Sequence, residues 1–127
     1  MASELRVNTL KDAAGANSVA MEYVAGGSAK AWIDYKGTDT NAVQASFNIS
    51  SVTDNGTGDY TIILSNSMSS AEYAIVDGAY RLENSNSPSV AGFQTPTSSQ
   101  YIHNHWNSGF AVSDMFRTYS QVMGDLA

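Results

Sequence analysis

The spacing of apolar residues constrains the fold of this 127-residue chain more than any other feature. In residues 43–50 (VQASFNIS), four apolar side chains alternate with four polar ones. This period of two is typical of a strand with one buried face, so Phe47 is expected in the core, where Phe47→Ala would cost about 3–5 kcal/mol. Shorter runs with the same period occur at 31–35, 60–64, 73–75, 110–112 and 118–123.

Turn-forming residues separate these runs. The strongest signal is 54–59 (DNGTGD), in which Asn-Gly suits left-handed turn positions and predicts a hairpin. Residues 36–41 and 67–70 are weaker turns. Six or seven short strands at this spacing predict an all-β fold, an antiparallel β-sandwich of jelly-roll-like type.

Composition agrees with this fold class and excludes several functions. Only 14% of residues are charged, and 18 Ser, 9 Thr and 10 Asn supply most of the polar surface. There is no cysteine, which excludes disulfides, zinc–thiolate sites and thiol catalysis. The net charge of −6 argues against nucleic-acid binding, and the absence of long apolar runs argues against membrane insertion.

Two regions depart from the strand pattern. Residues 1–26 have weak alternation around a turn at 11–17, and we interpret them as an extended N-terminal arm ahead of a sandwich domain over 27–127. Residues 83–108 contain both prolines and are predicted to form a long irregular loop. The apolar side chains expected to dock the arm on a partner or on another copy are Leu5, Val7, Leu10, Val19, Met21 and Tyr23.

Exposed strand edges and an apolar arm leave a single copy incompletely covered, which predicts a homo-oligomer. Aromatic rings next to amides and hydroxyls around the predicted loop are typical of a recognition surface. The alternative is that these rings anchor the loop to the core. The candidate receptor-binding residues are Tyr80, Phe93, Tyr101, His103, His105 and Trp106.

His103 and His105 are also candidate metal ligands, whereas residues 54–59 resemble part of a calcium loop but lack its further oxygen ligands and late Glu, which favours the hairpin turn. On a strand, residues two apart point to the same side, so three such pairs around a trimer axis could bind one metal ion. The simpler interpretation is two surface histidines and no cofactor. No nucleophile–base pattern or phosphate-binding loop is present, so no catalytic residue is predicted. A pair of carboxylates for glycoside cleavage stays open, because nothing selects two of the 12 acidic residues.

Four stretches resemble bacteriophage tail-fibre and virion appendage proteins, particularly those of marine phages. Residues 3–18 (SELRVNTLKDAAGANS) are similar to the opening of such proteins. Residues 29–38 (AKAWIDYKGT) and 47–61 (FNISSVTDNGTGDYT) resemble a small β-domain found in them, and 122–126 (VMGDL) resembles its closing strand. Residues 77–108 match no pattern of this family.

The resemblance implies a non-enzymatic component of the virion, on its tail or capsid, that is usually a homotrimer. The N-terminal segment would dock on other virion proteins, and the β-domain would face a receptor on the host surface. Two alternatives remain: a capsid-decoration or collar protein without a receptor role, and a virion-associated enzyme that degrades polysaccharide.

Overall fold

Eight strands form two four-stranded antiparallel sheets that are packed in two layers, which confirms the predicted all-β sandwich. The protein is described here by a computed structural model, which covers residues 3–80 and 89–127. The elements in chain order are β1 (Thr9–Lys11), β2 (Ser18–Ala20), α1 (Met21–Gly27), β3 (Ala29–Lys36), β4 (Ala42–Phe47), β5 (Ile49–Gly56), β6 (Asp59–Leu64), β7 (Ala74–Tyr80), β8 (Ser89–Gln94), β9 (Gln100–Asn107) and β10 (Arg117–Met123).

The strand order defines a first sheet, β4–β3–β10–β7, and a second sheet, β5–β6–β9–β8. The hydrophobic core lies between them. Ala31, Ile33 and Tyr35 of β3 and Tyr60, Ile62 and Leu64 of β6 are buried, as their alternation predicts. The 54–59 hairpin is also confirmed, because β5 and β6 pair directly around Thr57 and Gly58.

The strand predicted over 43–50 is wrong in one respect: it is two strands in two different sheets. Asn48 has φ of 56°, a left-handed conformation that turns the chain between β4 of the first sheet and β5 of the second. Phe47 consequently points outward beside Trp32 and is 55% exposed, and Val43 is 44% exposed. Ile49, after the corner, packs against the core.

Asn48 is suited to this corner by its side chain. Its amide nitrogen donates to the carbonyl oxygens of Lys30 (3.1 Å) and Asn66 (3.2 Å), and its Oδ1 accepts from the backbone N–H of Asn66 at 2.7 Å. Asn tolerates the left-handed region better than β-branched or aromatic residues do. Period alone does not reveal such a corner, because the apolar–polar alternation continues through it.

The prediction of an irregular loop over 83–108 is wrong over most of its length. Residues 89–94 and 100–107 are paired strands β8 and β9, joined by 95–99, while 83–88 lie outside the described residues. Tyr101, His103 and His105 alternate inward on β9. Apolar–polar alternation does not reveal this strand, because two of its inward side chains are histidines, which are more often at least partly exposed.

The strand predicted over 110–112 is wrong as well. This segment is a loop in which Phe110 has φ of 58° and is 76% exposed, although Val112 makes one isolated bridge to Trp106. Asn107 holds the loop, since its Oδ1 accepts from the N–H groups of Gly109 (2.9 Å) and Ala111 (3.2 Å).

The N-terminal arm contains a small hairpin, β1–β2, followed by the short helix α1. The predicted turn at 11–17 closes the hairpin, and Asp12 accepts from the backbone N–H of Ala16 at 3.0 Å and from the Asn17 amide at 2.7 Å. These hydrogen bonds hold the pKa of the Asp12 carboxyl below its usual value. Met21 and Tyr23 belong to the short helix α1, so this part of the predicted arm is helical and not extended.

Candidate functional site

Among the described residues, most apolar side chains of the arm are exposed to solvent. Leu5 is 79% and Tyr23 is 69% exposed, and Leu10 and Val19, paired across the hairpin, also face solvent. Val7 and Met21 are half-buried. All six predicted docking residues therefore retain apolar surface that a partner could cover.

Three of the six candidate receptor residues lie inside the sandwich. Tyr101, His103 and His105 are fully buried, and the half-buried Phe93 stacks on His103 with ring centroids 4.8 Å apart. In this position these side chains form part of the core, which agrees with the anchoring alternative and does not support direct contact with a receptor.

The other two candidates lie elsewhere. Trp106 is half-buried on the outer face of the second sheet, where a Cβ on Gly92 would come within 3.1 Å of its ring. The backbone of Tyr80 ends β7, and its side chain lies outside the described part of the structure.

The two histidine rings are tilted against each other, with centroids 4.2 Å apart. His103 Nε2 lies 3.3 Å from a carboxylate oxygen of Asp77, and His105 Nε2 lies 3.5 Å from the hydroxyl of Thr118. Neither Nδ1 atom has a hydrogen-bond partner among the described residues. Burial lowers the pKa of His103 and, with repulsion from His103, lowers the pKa of His105 to about 3.

These properties make the pair a neutral core element at neutral pH. Both rings are enclosed between the sheets, so this placement does not support a metal ion shared between copies. Within residues 3–80 and 89–127, no group of three or more His, Asp or Glu side chains is arranged to hold a metal ion.

Buried tyrosine hydroxyls surround the histidines. The Tyr60 hydroxyl donates to Asp114 Oδ1 at 2.6 Å, and the Tyr101 hydroxyl lies 2.7 Å from that of Ser120. Burial raises the pKa of both phenols, that of Tyr101 to about 12. The tyrosines therefore stay protonated and serve as hydrogen-bonding members of the core.

The most distinctive exposed surface is the outer face of the first sheet, which sequence reasoning did not identify as a site. Trp32 on β3 pairs with Phe47 on β4 and with Gln121 on β10, and Gln121 pairs with Val76 on β7. Residues opposite each other in register share a face, so these four side chains form one row across the sheet.

A second row lies beside the first. Tyr119 on β10 pairs with Asp34 on β3 and with Gly78 on β7, and Asp34 pairs with Ala45 on β4. Ala45 and Gly78 have little or no side chain, so the two ends of this row project little from the sheet. We call the two rows together the aromatic face; it consists of Trp32, Asp34, Ala45, Phe47, Val76, Gly78, Tyr119 and Gln121.

The aromatic face contains a shallow depression of about 490 Å³, lined by most of these residues and by Asp77. Trp32 is 41%, Val76 48% and Tyr119 39% exposed. Arg117 Nη2 donates to Asp34 Oδ2 at 2.7 Å, which fixes a carboxylate among the aromatic rings. Asp34 Oδ1 is buried and has no hydrogen-bond partner among the described residues.

A signal for this face was present in the sequence. Trp32 and Asp34 are on the opposite face of β3 from its buried residues, so the alternation places a large aromatic ring next to a carboxylate on the solvent face. Its neighbours Phe47 and Tyr119 come from other strands, so only the strand register brings them together.

Asp34 and Asp77 both line the depression, which bears on the open question of a carboxylate pair. Each is already engaged, Asp34 by Arg117 and Asp77 by His103. Glycoside cleavage uses one carboxyl group that is protonated and one that is ionised, on opposite sides of a scissile bond. Asp34 and Asp77 do not have this arrangement, because each of them contacts a basic side chain.

Across residues 3–80 and 89–127, no helix is long and apolar enough to cross a membrane. In comparisons with known proteins, no family model, curated protein or solved structure matches this chain.

Proposed function

We propose that this chain is a structural protein of a bacteriophage particle, a tail fibre or appendage that contributes to attachment to the host surface. The observation that supports the proposal is the contrast between the two parts of the chain. The sandwich has a core of its own, whereas the arm keeps its apolar side chains exposed.

An apolar segment of this kind is stabilised when a partner covers it, by roughly 25 cal/mol for each Å² of apolar surface removed from water. Leu5, Leu10, Val19 and Tyr23 would supply that surface. In the proposed function, the arm docks on other virion proteins and on sister copies in a homotrimer. The same docking would serve a capsid-decoration or collar protein, which differs in having no receptor.

Labelling of particles tests the docking role. Particles of the encoding phage are assembled with an epitope-tagged chain in three forms: intact, beginning at residue 27, and with Leu5→Ser and Tyr23→Ser. The intact chain is expected on purified particles and both arm variants are expected to be absent. Phe110→Ser, which changes a side chain that is 76% exposed outside the arm, is the matched control and should be incorporated normally.

Imaging of the label then separates the alternatives. Label at the tail supports the appendage role, and label distributed over the shell supports the decoration role. If the intact chain is absent from particles, or if the arm variants are incorporated as well as the intact chain, the docking proposal is wrong.

A further inference from the structure

We infer that the aromatic face is a binding site for an uncharged oligosaccharide. The inference rests on aromatic rings set beside an oriented carboxylate and an amide in one depression. It deepens the proposed function, because it names the class of host-surface ligand and places recognition on a sheet face instead of the loops. The binding itself can be tested without the particle.

The rings provide the apolar half of such a site. One side of a pyranose ring presents C–H groups, which pack favourably on the electron-rich face of an aromatic ring. Trp32 and Tyr119 are diagonal neighbours on β3 and β10, a relationship that places the two residues about 7–8 Å apart. Phe47 extends the surface beyond Trp32. Successive sugar rings of one chain could therefore each lie on an aromatic ring.

Polar side chains provide the other half. Sugar hydroxyls project from the edge of the ring and need hydrogen-bond partners when they leave water. Gln121 lies next to Trp32 and offers both a donor and an acceptor. Asp34 is oriented by Arg117 and its side chain is 20% exposed, so a sugar hydroxyl in the depression could donate to the accessible part of its carboxylate. The volume of about 490 Å³ is within the usual range of ligand sites.

Charge favours a neutral ligand. The chain has a net charge of −6, so an anionic polymer would be repelled as it approached, whereas an uncharged saccharide would not.

A second copy of the chain is a poorer occupant for the same face. An apolar surface laid over the Asp34–Arg117 pair would remove water from its partly exposed side chains without replacing their hydrogen bonds. Saccharide hydroxyls can replace that water.

Titration of the full-length chain tests the inference. The probes are neutral hexasaccharides of glucose, galactose, mannose and N-acetylglucosamine, followed by calorimetry and by tryptophan fluorescence. We expect at least one to bind. Trp32→Ala should weaken that binding at least tenfold, and Gln121→Ala, which changes an exposed side chain, should weaken it at least threefold.

Trp106→Phe, on the outer face of the opposite sheet, is the matched control and should leave affinity unchanged. The inference is overturned if none of the four probes binds more tightly than about 10 mM, or if Trp32→Ala and Gln121→Ala both bind like the unaltered chain. It is also overturned if light scattering shows that Trp32→Ala disrupts an oligomer, because the face would then be covered by a second copy.

The two proposals can fail separately. Absence of saccharide binding with normal labelling of particles removes only this inference. Saccharide binding by a chain that is absent from particles removes only the virion role.

Discussion

At the residue scale, the core depends on polar rings that are kept neutral by burial. His103 and His105 are enclosed beside buried tyrosines, and each imidazole has a nitrogen without a partner among the described residues. Protonating either ring would place a positive charge between the sheets, which is costly. For His103, the contact with Asp77 offsets part of this cost.

We therefore expect stability to fall in mild acid. In the unfolded chain an imidazole titrates near pH 6.5, and the folded pKa of both histidines is lower. The unfolded state then binds more protons between these values, so the contribution of these two rings to the free energy of unfolding is complete well above pH 6.5 and is lost as the pH falls below it. Each histidine contributes a slope of up to about 1.4 kcal/mol per pH unit.

Chemical denaturation at pH 7.5, 6.0 and 5.0 measures this slope, and His105→Gln should reduce it by roughly half. A free energy of unfolding that is the same at pH 7.5 and 5.0 would show that these rings are not held neutral by the fold.

The exposure of Phe47 leads to a second expectation at this scale. Phe47→Ala should cost under about 1 kcal/mol, in contrast to the larger loss that alternation alone predicts, because its ring is 55% exposed. Ile62→Ala should cost about 2–5 kcal/mol, because Ile62 is fully buried. Urea denaturation measures the free energy of unfolding of both variants. An equal loss in the two would show that Phe47 is buried in the core.

At the scale of elements, one residue decides how β4 and β5 are placed. Most strands that end at a recognisable turn, such as β3, β6 and β10, could be predicted from period and turn residues. The corner at Asn48 could not, because its polar partners, Lys30 and Asn66, are each 18 residues away along the chain. The aromatic face was missed for the same reason, since Phe47 joins it only through this corner.

Substitution of Asn48 tests the corner. Asn48→Ala should cost about 2–3 kcal/mol, because it loses the side-chain hydrogen bonds and imposes a left-handed conformation on alanine. Asn48→Gly loses the same bonds without the backbone penalty and should be roughly 1 kcal/mol less destabilising. Thermal unfolding distinguishes them. If alanine is tolerated as well as glycine, the left-handed conformation is not required.

At the scale of the whole molecule, the arm and the sandwich have different requirements. The sandwich encloses its own core, whereas most apolar side chains of the arm stay exposed within residues 3–80 and 89–127. In the proposed function, oligomerisation through the arm would cover this surface, at the modest gain per Å² that apolar burial provides.

Removal of the arm separates the two parts. By light scattering, the intact chain should have about three times the mass of one 13.5 kDa copy, and a chain beginning at residue 27 should be monomeric. The shortened chain should keep the β-type circular dichroism and the unfolding midpoint of its sandwich. A monomeric intact chain at micromolar concentration contradicts the trimer, and unfolding of the shortened chain contradicts the independence of the sandwich.

The sequence by itself determined the fold class, the main hairpin, the inward faces of β3 and β6 and the exposure of an apolar arm, because each depends on residues close together along the chain. Only the tertiary structure decided that His103 and His105 belong to the core and that Trp32, Phe47 and Tyr119 share one open face. Those outcomes depend on sheet register and on one corner, which are set by contacts between distant segments that local periodicity does not encode.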